Sequence, residues 1–486
     1  MIKIKISRRL VKVSCVLLAV WLSLCVLSLD IGAERTEALS AAQTDSALYG
    51  ADSFTPEMKR LYTDMVAMID EKIVKAGDLN GKIVELEGVA VTGDKGLRRV
   101  DGLVLKTKDY GVTYSELVAV YSNMKHLHPE FYFLASTFLK ATDESAIYPL
   151  VVESLSKKSA RQEIDSLIES ECLVYDGAIE DCKSSYEKAL AIHDLMVDRL
   201  DYAYDENGAP QSAYWAHSIV GAVKQMEGTC ETFAKWYTYL LTRAGVANYP
   251  VVGTSRGQGH AWNLVQMDDG NWYNIDVTWD DGSEHEEFGR NYTYFATAKS
   301  VFDQTHTAND NLGSGFKYLY NLPKAEESYA YCPYYVNGQM PDMSDAQSAW
   351  QDYLSIWKRA LERGELTVVL YVKDAQQLQM LKEVAGDINK TASALRSMGF
   401  EDELKGKLTF YKSSLGDNLY KVRIEKEMPK PVDPDKNGTT DEADVIYIMQ
   451  FILGYKGTSG DNCDINKDGR IDLRDAVVLL QSVRDQ

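Results

Sequence analysis

The chain has 486 residues, in which 72 acidic side chains outweigh 52 basic ones and give a formal net charge of −20 at pH 7. So acidic a chain excludes nucleic acid and anionic membranes as binding partners, because both would repel it. The length predicts several domains rather than one.

The first 33 residues predict a signal peptide for secretion. Basic side chains precede an apolar run from Val13 to Leu29, and the small residues Gly32 and Ala33 follow it. A retained membrane anchor is the alternative, but the run is short for crossing a bilayer. We therefore expect a secreted, extracellular protein that has no membrane partner after cleavage.

An odd number of cysteines follows the signal peptide, which leaves at least one unpaired thiol in an exported protein. These cysteines are Cys172, Cys182, Cys230, Cys332 and Cys463. Their spacings do not match a zinc site. A local disulfide between the first two is left open.

Residues 34–55 are small and polar and predict a disordered segment. Residues 56–184 predict a mostly helical region. Its first helix begins at Pro56 and stops at Gly77, and a strand over residues 82–91 follows it.

Two capping boxes predict the starts of two further helices, because a hydroxyl and a carboxylate three residues apart satisfy each other's backbone N–H groups. Thr113 with Glu116 opens a helix that ends before Pro129. Ser184 with Glu187 opens another and marks the start of a domain predicted over residues 185–325.

Cys230 begins a predicted helix that stops at Gly245. A cysteine at a helix N-terminus faces unpaired backbone N–H groups and the positive end of the helix dipole, and both stabilise its thiolate. The same N–H groups can face a developing oxyanion. Cys230 is therefore the candidate nucleophile.

Two strand-like stretches downstream carry His260 and Asp276, joined by a hairpin turn at residues 268–271. His260 could deprotonate Cys230, and Asp276 could orient the imidazole. A simple two-residue turn would place these side chains on opposite faces. A three-residue loop or a bulge is required to bring them onto one face.

At these residues the chain resembles the transglutaminase-like superfamily of cysteine peptidases and acyltransferases, over roughly residues 185–310. The resemblance implies that Cys230, His260 and Asp276 are nucleophile, base and orienting acid in a papain-like α+β core. It implies acyl transfer through a thioester on a peptide or protein substrate. Hydrolysis is favoured, and protein-glutamine cross-linking and an idle, non-catalytic site are the alternatives.

The other polar and aromatic residues near the triad have structural interpretations. Trp215 is interpreted as a core residue, and His193 and His306 as satisfied structural histidines. Trp262 and Asn263 are expected to brace the hairpin. Asp280, Asp281 and residues 284–287 are expected to form a solvated loop rather than a metal site.

Residues 340–427 predict a small α/β module of unknown role, with helices over 346–363 and 375–389 and strands near 366–372, 408–411 and 419–424. Residues 428–432 predict a short stiff linker. This part of the chain carries no functional motif.

Two loops near the C-terminus, residues 433–444 and 464–475, carry oxygen side chains at positions 1, 3, 5, 9 and 12. Gly438 and Gly469 stand at position 6, where the calcium loop turns sharply. An apolar helix is expected after each loop, and prolines disfavour a helix before the first. The pattern predicts two calcium sites.

The duplicated half EF-hand over residues 433–486 resembles a type I dockerin, which implies an all-α F-hand module that binds a cohesin module of a scaffoldin in a cellulosome-type complex. The implied calcium ligands of the first loop are Asp433, Asp435, Asn437, Thr439, Asp441 and Asp444. Those of the second are Asp464, Asn466, Asp468, Arg470, Asp472 and Asp475. The implied cohesin contacts are Glu442, Ala443, Leu473 and Arg474, and because the two pairs differ we expect one binding orientation.

The predicted fold class is therefore a multidomain α+β protein. A helical N-terminal region leads into a transglutaminase-like α+β core, a small α/β module and a dockerin. Two Ca²⁺ ions are the expected cofactors, with none for catalysis. No glycosidase motif is recognisable.

Overall fold

The structure, a computed structural model, describes residues 54–84, 96–281, 290–309, 322–400, 404, 408–415, 419–426, 433–455, 457–466 and 470–484. The signal peptide, nearly all of the segment 34–55 and the linker 428–432 lie outside these residues. The chain divides into two compact units, one up to Gly338 and one from Gln339. None of the described helices combines the length and hydrophobicity that a membrane crossing needs.

Within the described residues, the N-terminal part of the first unit contains four α-helices. They are α1 (Pro56–Ile69), α2 (Thr107–Tyr110), α3 (Tyr114–Leu127) and α4 (Lys158–Ile179). A π-helical turn, Asp70–Val74, continues α1. The predicted capping box is present at α3, where the Thr113 N–H donates to Glu116 at 2.7 Å and the Glu116 N–H donates to the Thr113 hydroxyl at 3.2 Å.

A five-stranded antiparallel sheet accompanies these helices. Its strands are β1 (Gly81–Val84), β2 (Leu97–Val100), β3 (Leu105–Lys106), β4 (Leu134–Lys140) and β5 (Ala146–Val152). The order is β1-β2-β5-β3, and β4 also pairs with β5. The strand predicted over 82–91 overlaps β1, and its residues 85–91 lie outside the described part. The other four strands were not predicted. For β5 one reason is Pro149, because proline is unusual inside a strand; in the structure Pro149 lies opposite Phe138 of β4.

The C-terminal part of the first unit carries a second antiparallel sheet. This part of the chain contains, in order, α5 (Ser185–Arg199), β6 (Asp201–Tyr202), β7 (Glu227–Gly228), α6 (Cys230–Arg243), β8 (Asn248–Ser255), β9 (Gln258–Gln266), β10 (Trp272–Ile275), α7 (Val277–Asp280), α8 (Lys299–Phe302), β11 (His306–Ala308) and α9 (Pro333–Val336). The strand order in the antiparallel sheet is β10-β9-β8-β11, and β6 and β7 pair separately. Helix α6 is anchored to this sheet by Asn263, whose amide donates to the Ala234 carbonyl at 3.1 Å and the Thr238 hydroxyl at 2.8 Å.

The β9–β10 hairpin has the odd loop that the triad requires. The Met267 N–H donates to the Asn271 carbonyl at 2.9 Å, and the Gly270 N–H donates to the Met267 carbonyl at 2.9 Å. Gly270 has φ +80°, so three residues form the loop. The pairing of Asn274 with Leu264 continues this register, which brings residue 276 onto the face that carries His260.

The second unit begins with a small α/β module. It contains α10 (Ala346–Glu362), β12 (Thr367–Tyr371), α11 (Ala375–Val384), α12 (Ile388–Ser397), β13 (Leu408–Leu415) and β14 (Leu419–Lys426). Its antiparallel sheet has the order β12-β14-β13. The single helix predicted over 375–389 is wrong: Asp387 caps a separate helix by accepting the Lys390 N–H at 2.9 Å.

The C-terminal segment of the second unit contains α13 (Glu442–Ile452) and α14 (Leu473–Arg484). Each helix starts about one turn earlier than predicted, inside its loop. At α13 the reason is a capping box, in which the Asp441 carboxylate accepts the Ala443 N–H and Asp444 accepts the Asp441 N–H. The two helices enclose a small apolar core around Ile448 and Leu479.

Candidate active site and calcium loops

Cys230 is the first residue of α6 and is half-buried, as the sequence predicts. The turn before it is fixed because the Thr229 N–H and hydroxyl both donate to the Ala216 carbonyl at 2.8 Å. A Cβ on Gly228 would lie 2.3 Å from the Thr232 side chain, so only glycine fits there. The thiol therefore stands at the positive end of a well-anchored helix.

His260 and Asp276 are brought together as predicted, with 2.5 Å between His260 Nε2 and Asp276 Oδ2. Asp276 is fully buried and caps α7, where its Oδ1 accepts the N–H groups of Thr278 at 3.0 Å and Trp279 at 3.2 Å. Backbone donors thus fix one carboxylate oxygen and leave the other for the imidazole.

The His260 imidazole lies next to the Cys230 thiol, and the two groups interact electrostatically. Because Nε2 is engaged by Asp276, Nδ1 is the atom left to face the thiol. Burial alone would lower the pKa of His260, but the Asp276 charge, the hydrogen bond that the imidazole donates to Asp276, and the neighbouring Cys230 raise that pKa to about 10. The site therefore favours an imidazolium, the state that pairs with a thiolate.

The Asp276 carboxylate stays ionised in spite of its burial. Burial would raise its pKa, but the His260 charge and hydrogen bonds from His260 and His306 hold that pKa well below its usual range. The imidazole of His260 therefore interacts with the Cys230 thiol and donates a hydrogen bond to the buried Asp276 carboxylate.

One family model matches the part of the chain that carries the triad. Residues 175–277 match the family model of the transglutaminase-like superfamily. That stretch, called the transglutaminase-like region below, contains all three triad residues. No curated protein matches the chain.

Several solved structures are similar to parts of the chain. A crystal structure of a TGase is 18% identical over 32% of this chain and 47% of its own, with a TM-score of 0.22. A candidate cysteine protease from Cytophaga hutchinsonii is 12% identical over 30% of this chain and 62% of its own, with a TM-score of 0.19. A candidate protease from Parabacteroides distasonis is 11% identical over 30% of this chain and 34% of its own, with a TM-score of 0.18. The match spans less than two thirds of each of these chains.

Tyr202 belongs to the site, although its sequence carries no signal for that role. The two-residue strand β6 pairs in parallel with β7, which directly precedes the Thr229–Cys230 turn. This pairing brings Tyr202 close to Cys230, and the two residues interact electrostatically. Trp215, which the sequence left as a core residue, is half-buried and packs against the main core.

The aromatic and amide neighbours of the triad brace it as expected. The Trp262 indole N–H donates to Asn274 on the paired strand at 3.1 Å. His306 is fully buried, but it is more than a structural histidine because its Nε2 lies 3.0 Å from Asp276 Oδ2.

The expectation that Asp280 is solvated is wrong. Asp280 is buried and accepts the Tyr294 N–H at 3.0 Å, and its other oxygen lies 3.1 Å from His193 Nε2. Burial raises the pKa of Asp280 to about 6. His193 also contacts Asp194, and although burial opposes it, these two carboxylates raise the pKa of His193 to about 9. Residues 284–287 lie outside the described part.

The first calcium loop brings its predicted acidic ligands together. Oxygens of Asp433, Asp435 and Asp444 all lie within 4.8 Å of one another. Oxygens bound to one Ca²⁺ at 2.3–2.6 Å have such separations, so this donor set fits the ion. Gly438 has φ +94°, and its N–H donates to Asp433 at 2.7 Å.

Electrostatics in this loop also fit a cation. Desolvation, and then the negative charges of Asp444 and Asp433, raise the pKa of Asp435. The Thr439 hydroxyl donates a hydrogen bond to Asp441 at 2.9 Å, and the Thr439 N–H donates to the Asn437 side chain at 2.8 Å. All six predicted ligand residues therefore lie in one compact turn.

The second loop has the same closing carboxylate. Asp475 is fully buried and accepts the N–H groups of Ile465 at 2.8 Å, Asn466 at 3.1 Å and Asp472 at 2.8 Å. The predicted ligands Asp464 and Arg470 are described, and Asp468 lies outside the described residues. Among the described residues of this loop, the carboxylates do not converge as those of the first loop do.

The residues expected to contact a cohesin are exposed at the starts of α13 and α14. Leu473 is 62% exposed, and Arg474 pairs with Asp472 at 2.6 Å. Further apolar side chains on the same two helices are also exposed. They are Ile446, Met449, Leu453 and Val477.

Proposed function

We propose that this chain is a cysteine enzyme that hydrolyses peptide or amide bonds through a thioester on Cys230. One observation carries the proposal: His260 lies between the Cys230 thiol, with which it interacts electrostatically, and the buried Asp276 carboxylate, which it hydrogen-bonds at 2.5 Å. The alternative, a non-catalytic cysteine with two structural polar neighbours, does not explain why one imidazole lies beside both the thiol and a buried carboxylate.

The proposed reaction begins when the Cys230 thiolate attacks the carbonyl carbon and the carbonyl oxygen becomes an oxyanion. The His260 imidazolium then gives its proton to the leaving amine, the carbon–nitrogen bond breaks, and a thioester remains. Neutral His260 next takes a proton from water, whose oxygen attacks the thioester. The Cys230 thiolate then leaves, which releases the carboxylic acid and restores the thiolate beside the His260 imidazolium.

The oxyanion would be stabilised at the start of α6, by the Cys230 N–H and the helix dipole. Tyr202 lies close to this N–H group. Its hydroxyl would therefore be near the substrate oxygen and could donate a second hydrogen bond to it.

Alkylation with iodoacetamide at pH 6 tests the proposal, because an ordinary thiol is almost fully protonated there. Cys182 is the matched control: it is partly exposed, and burial and nearby carboxylates raise the pKa of its thiol. We expect rapid labelling that Cys230→Ala abolishes and Cys182→Ala leaves unchanged. Absence of labelling at Cys230 from pH 5 to 9 would refute the proposed enzymatic activity.

We also propose that the protein is secreted and that residues 433–484 bind two Ca²⁺ ions and dock onto a cohesin. The converging carboxylates of the first loop and the exposed apolar side chains of α13 and α14 support this. Binding of the full chain to a type I cohesin in Ca²⁺ and in chelator tests it. Leu473→Asp should abolish binding, and Val74→Asp, which changes an exposed apolar residue in the first unit, should not.

A further inference from the structure

His306 reaches the triad from a strand that the catalytic hairpin does not include. Strand β11 pairs with β8, with His306 opposite Ser255 and Ala308 opposite Gly253. Gly253 is in turn opposite His260 on β9. Because paired residues share a face of the sheet, and residues two apart along a strand also do, His306 and His260 lie on the same face.

The His306 ring is held tightly in this position. It stacks on Phe302 with ring centres 4.1 Å apart, and Trp262 and Tyr294 approach it edge-on at 5.2 Å. Its Nδ1 lies 2.8 Å from the Thr305 hydroxyl. Nε2 is therefore directed at Asp276, and since that carboxylate is ionised, Nε2 carries the hydrogen.

Asp276 Oδ2 thus accepts from two imidazoles, His260 at 2.5 Å and His306 at 3.0 Å. Both backbone N–H donors are on Oδ1. Other charged or ionisable groups near these rings or their shared carboxylate are Tyr294, Cys230, Asp280, Tyr202 and Arg256, which lies over Trp279. His306 is the side chain whose hydrogen bond shares Asp276 Oδ2 with His260.

A metal ion would not explain this cluster as well. His260, Asp276 and His306 have ligand atoms within 4.8 Å of one another. However, ligands 2.0–2.2 Å from a tetrahedral ion are about 3.4 Å apart. The observed nitrogen–oxygen distances of 2.5 and 3.0 Å are direct hydrogen bonds with no room between the atoms.

We propose that His306 is a positioning residue that shares Asp276 Oδ2 with His260 and thereby limits how tightly His260 holds its proton. The inference rests on the proposed cysteine chemistry. A carboxylate oxygen with two donors attracts each less strongly than an oxygen with one. His260 must both hold a proton beside the thiolate and release it to the leaving amine, so a fully available carboxylate would retain that proton too strongly.

The test is the pH dependence of Cys230 alkylation by iodoacetate in the full chain. Because the His260 imidazolium attracts this anionic reagent, the rate falls when the imidazolium loses its proton, and the alkaline limb of the profile reports that loss. His306→Leu removes the donor, so we expect the limb to move up by about one pH unit, the size of one hydrogen bond to a charged group. His306→Gln restores an N–H at the same reach and should return the limb to the wild-type position. His126→Leu, which changes a histidine that bonds the Pro250 carbonyl, is the matched control.

The outcomes separate the two proposals. A wild-type Cys230 that reacts like an ordinary thiol would overturn the cysteine chemistry and this inference with it. A reactive wild type whose limb stays fixed or moves down in His306→Leu would overturn the inference alone. If His306→Leu does not fold, as judged by circular dichroism, His306→Gln decides: a wild-type limb supports the role of the N–H donor, and a displaced limb overturns it.

Discussion

Replacing Asp276 with asparagine should disable the triad while preserving its shape. The asparagine oxygen can still accept the N–H groups of Thr278 and Trp279, as Oδ1 does now. Its NH₂ group would then face His260 Nε2, so that nitrogen must become an acceptor. The imidazole would carry its hydrogen on Nδ1, toward Cys230, and could not act as a base for the thiol.

The size of the effect follows from the pKa of His260. Its increase from 6.5 to about 10 corresponds to about 5 kcal/mol in favour of the imidazolium, and Asp276 is the first of the groups that raise it. Since each 1.4 kcal/mol is a factor of ten in rate, loss of most of this stabilisation predicts a fall in turnover of about 10³- to 10⁴-fold.

Alkylation of Cys230 across pH measures the same loss without a known substrate. The wild-type rate should depend only weakly on pH from 6 to 9, because the His260 imidazolium beside the thiol persists over this range. In Asp276→Asn the rate should rise about tenfold per pH unit, as for an ordinary thiol with a pKa near 8.5. Asp303→Asn, an exposed change at a residue paired with Lys299, is the control. A flat profile in Asp276→Asn would refute the assigned role.

Three further predictions concern the surroundings of the two sites. Gly253→Ala should destabilise the fold by about 1–3 kcal/mol in chemical denaturation, since its Cβ would lie 2.3 Å from the Thr307 carbonyl and 2.5 Å from the Trp262 ring; Gly259→Ala, which meets nothing within 4 Å, should be neutral. Because the pKa of His193 is raised to about 9, its stabilising effect is complete below pH 6.5 and is lost as pH rises to about 9. The free energy of unfolding should therefore fall by up to about 3 kcal/mol over that range, and a His193→Gln variant with an equally steep fall would contradict this. Chelation of Ca²⁺ should unfold α13 and α14, seen as lost helical circular dichroism, because the loop carboxylates then repel one another; Cys230 alkylation should be unchanged, and its loss in chelator would contradict the modular division.

Local patterns in the sequence predict the helices near the triad and the residues that form it. The capping boxes at Thr113 and Ser184 mark helix starts, and both are present. The start of α6 at Cys230 follows from the apolar stripe that Phe233, Tyr237 and Leu241 form on one face of the helix, and from the stop at Gly245. These signals are local because capping and amphipathic spacing involve residues only three or four positions apart.

Features that depend on distant pairing carry no such signal. His306 meets Asp276 only because the three-residue strand β11 pairs with β8, some 50 residues earlier in the chain. Tyr202 reaches Cys230 through the two-residue strand β6. The length of the hairpin loop was left open because the sequence offers Gly270 for either turn, and only the register decides between them.

One misprediction had a local signal that was overlooked. The break between α11 and α12 falls where Gly386 precedes Asp387, a pair typical of one helix ending and the next beginning. The burial of Asp280 had none, since its partner His193 lies on α5, 87 residues earlier.

The most direct test of the account is digestion of a peptide library by the wild type and by Cys230→Ala, with a primary amine added. We expect new peptide ends, a mass increase on Cys230 from the thioester in rapidly quenched samples, and some product capped by the added amine. All three should be absent in Cys230→Ala. Equal cleavage by both proteins, or acylation at a residue other than Cys230, would contradict it.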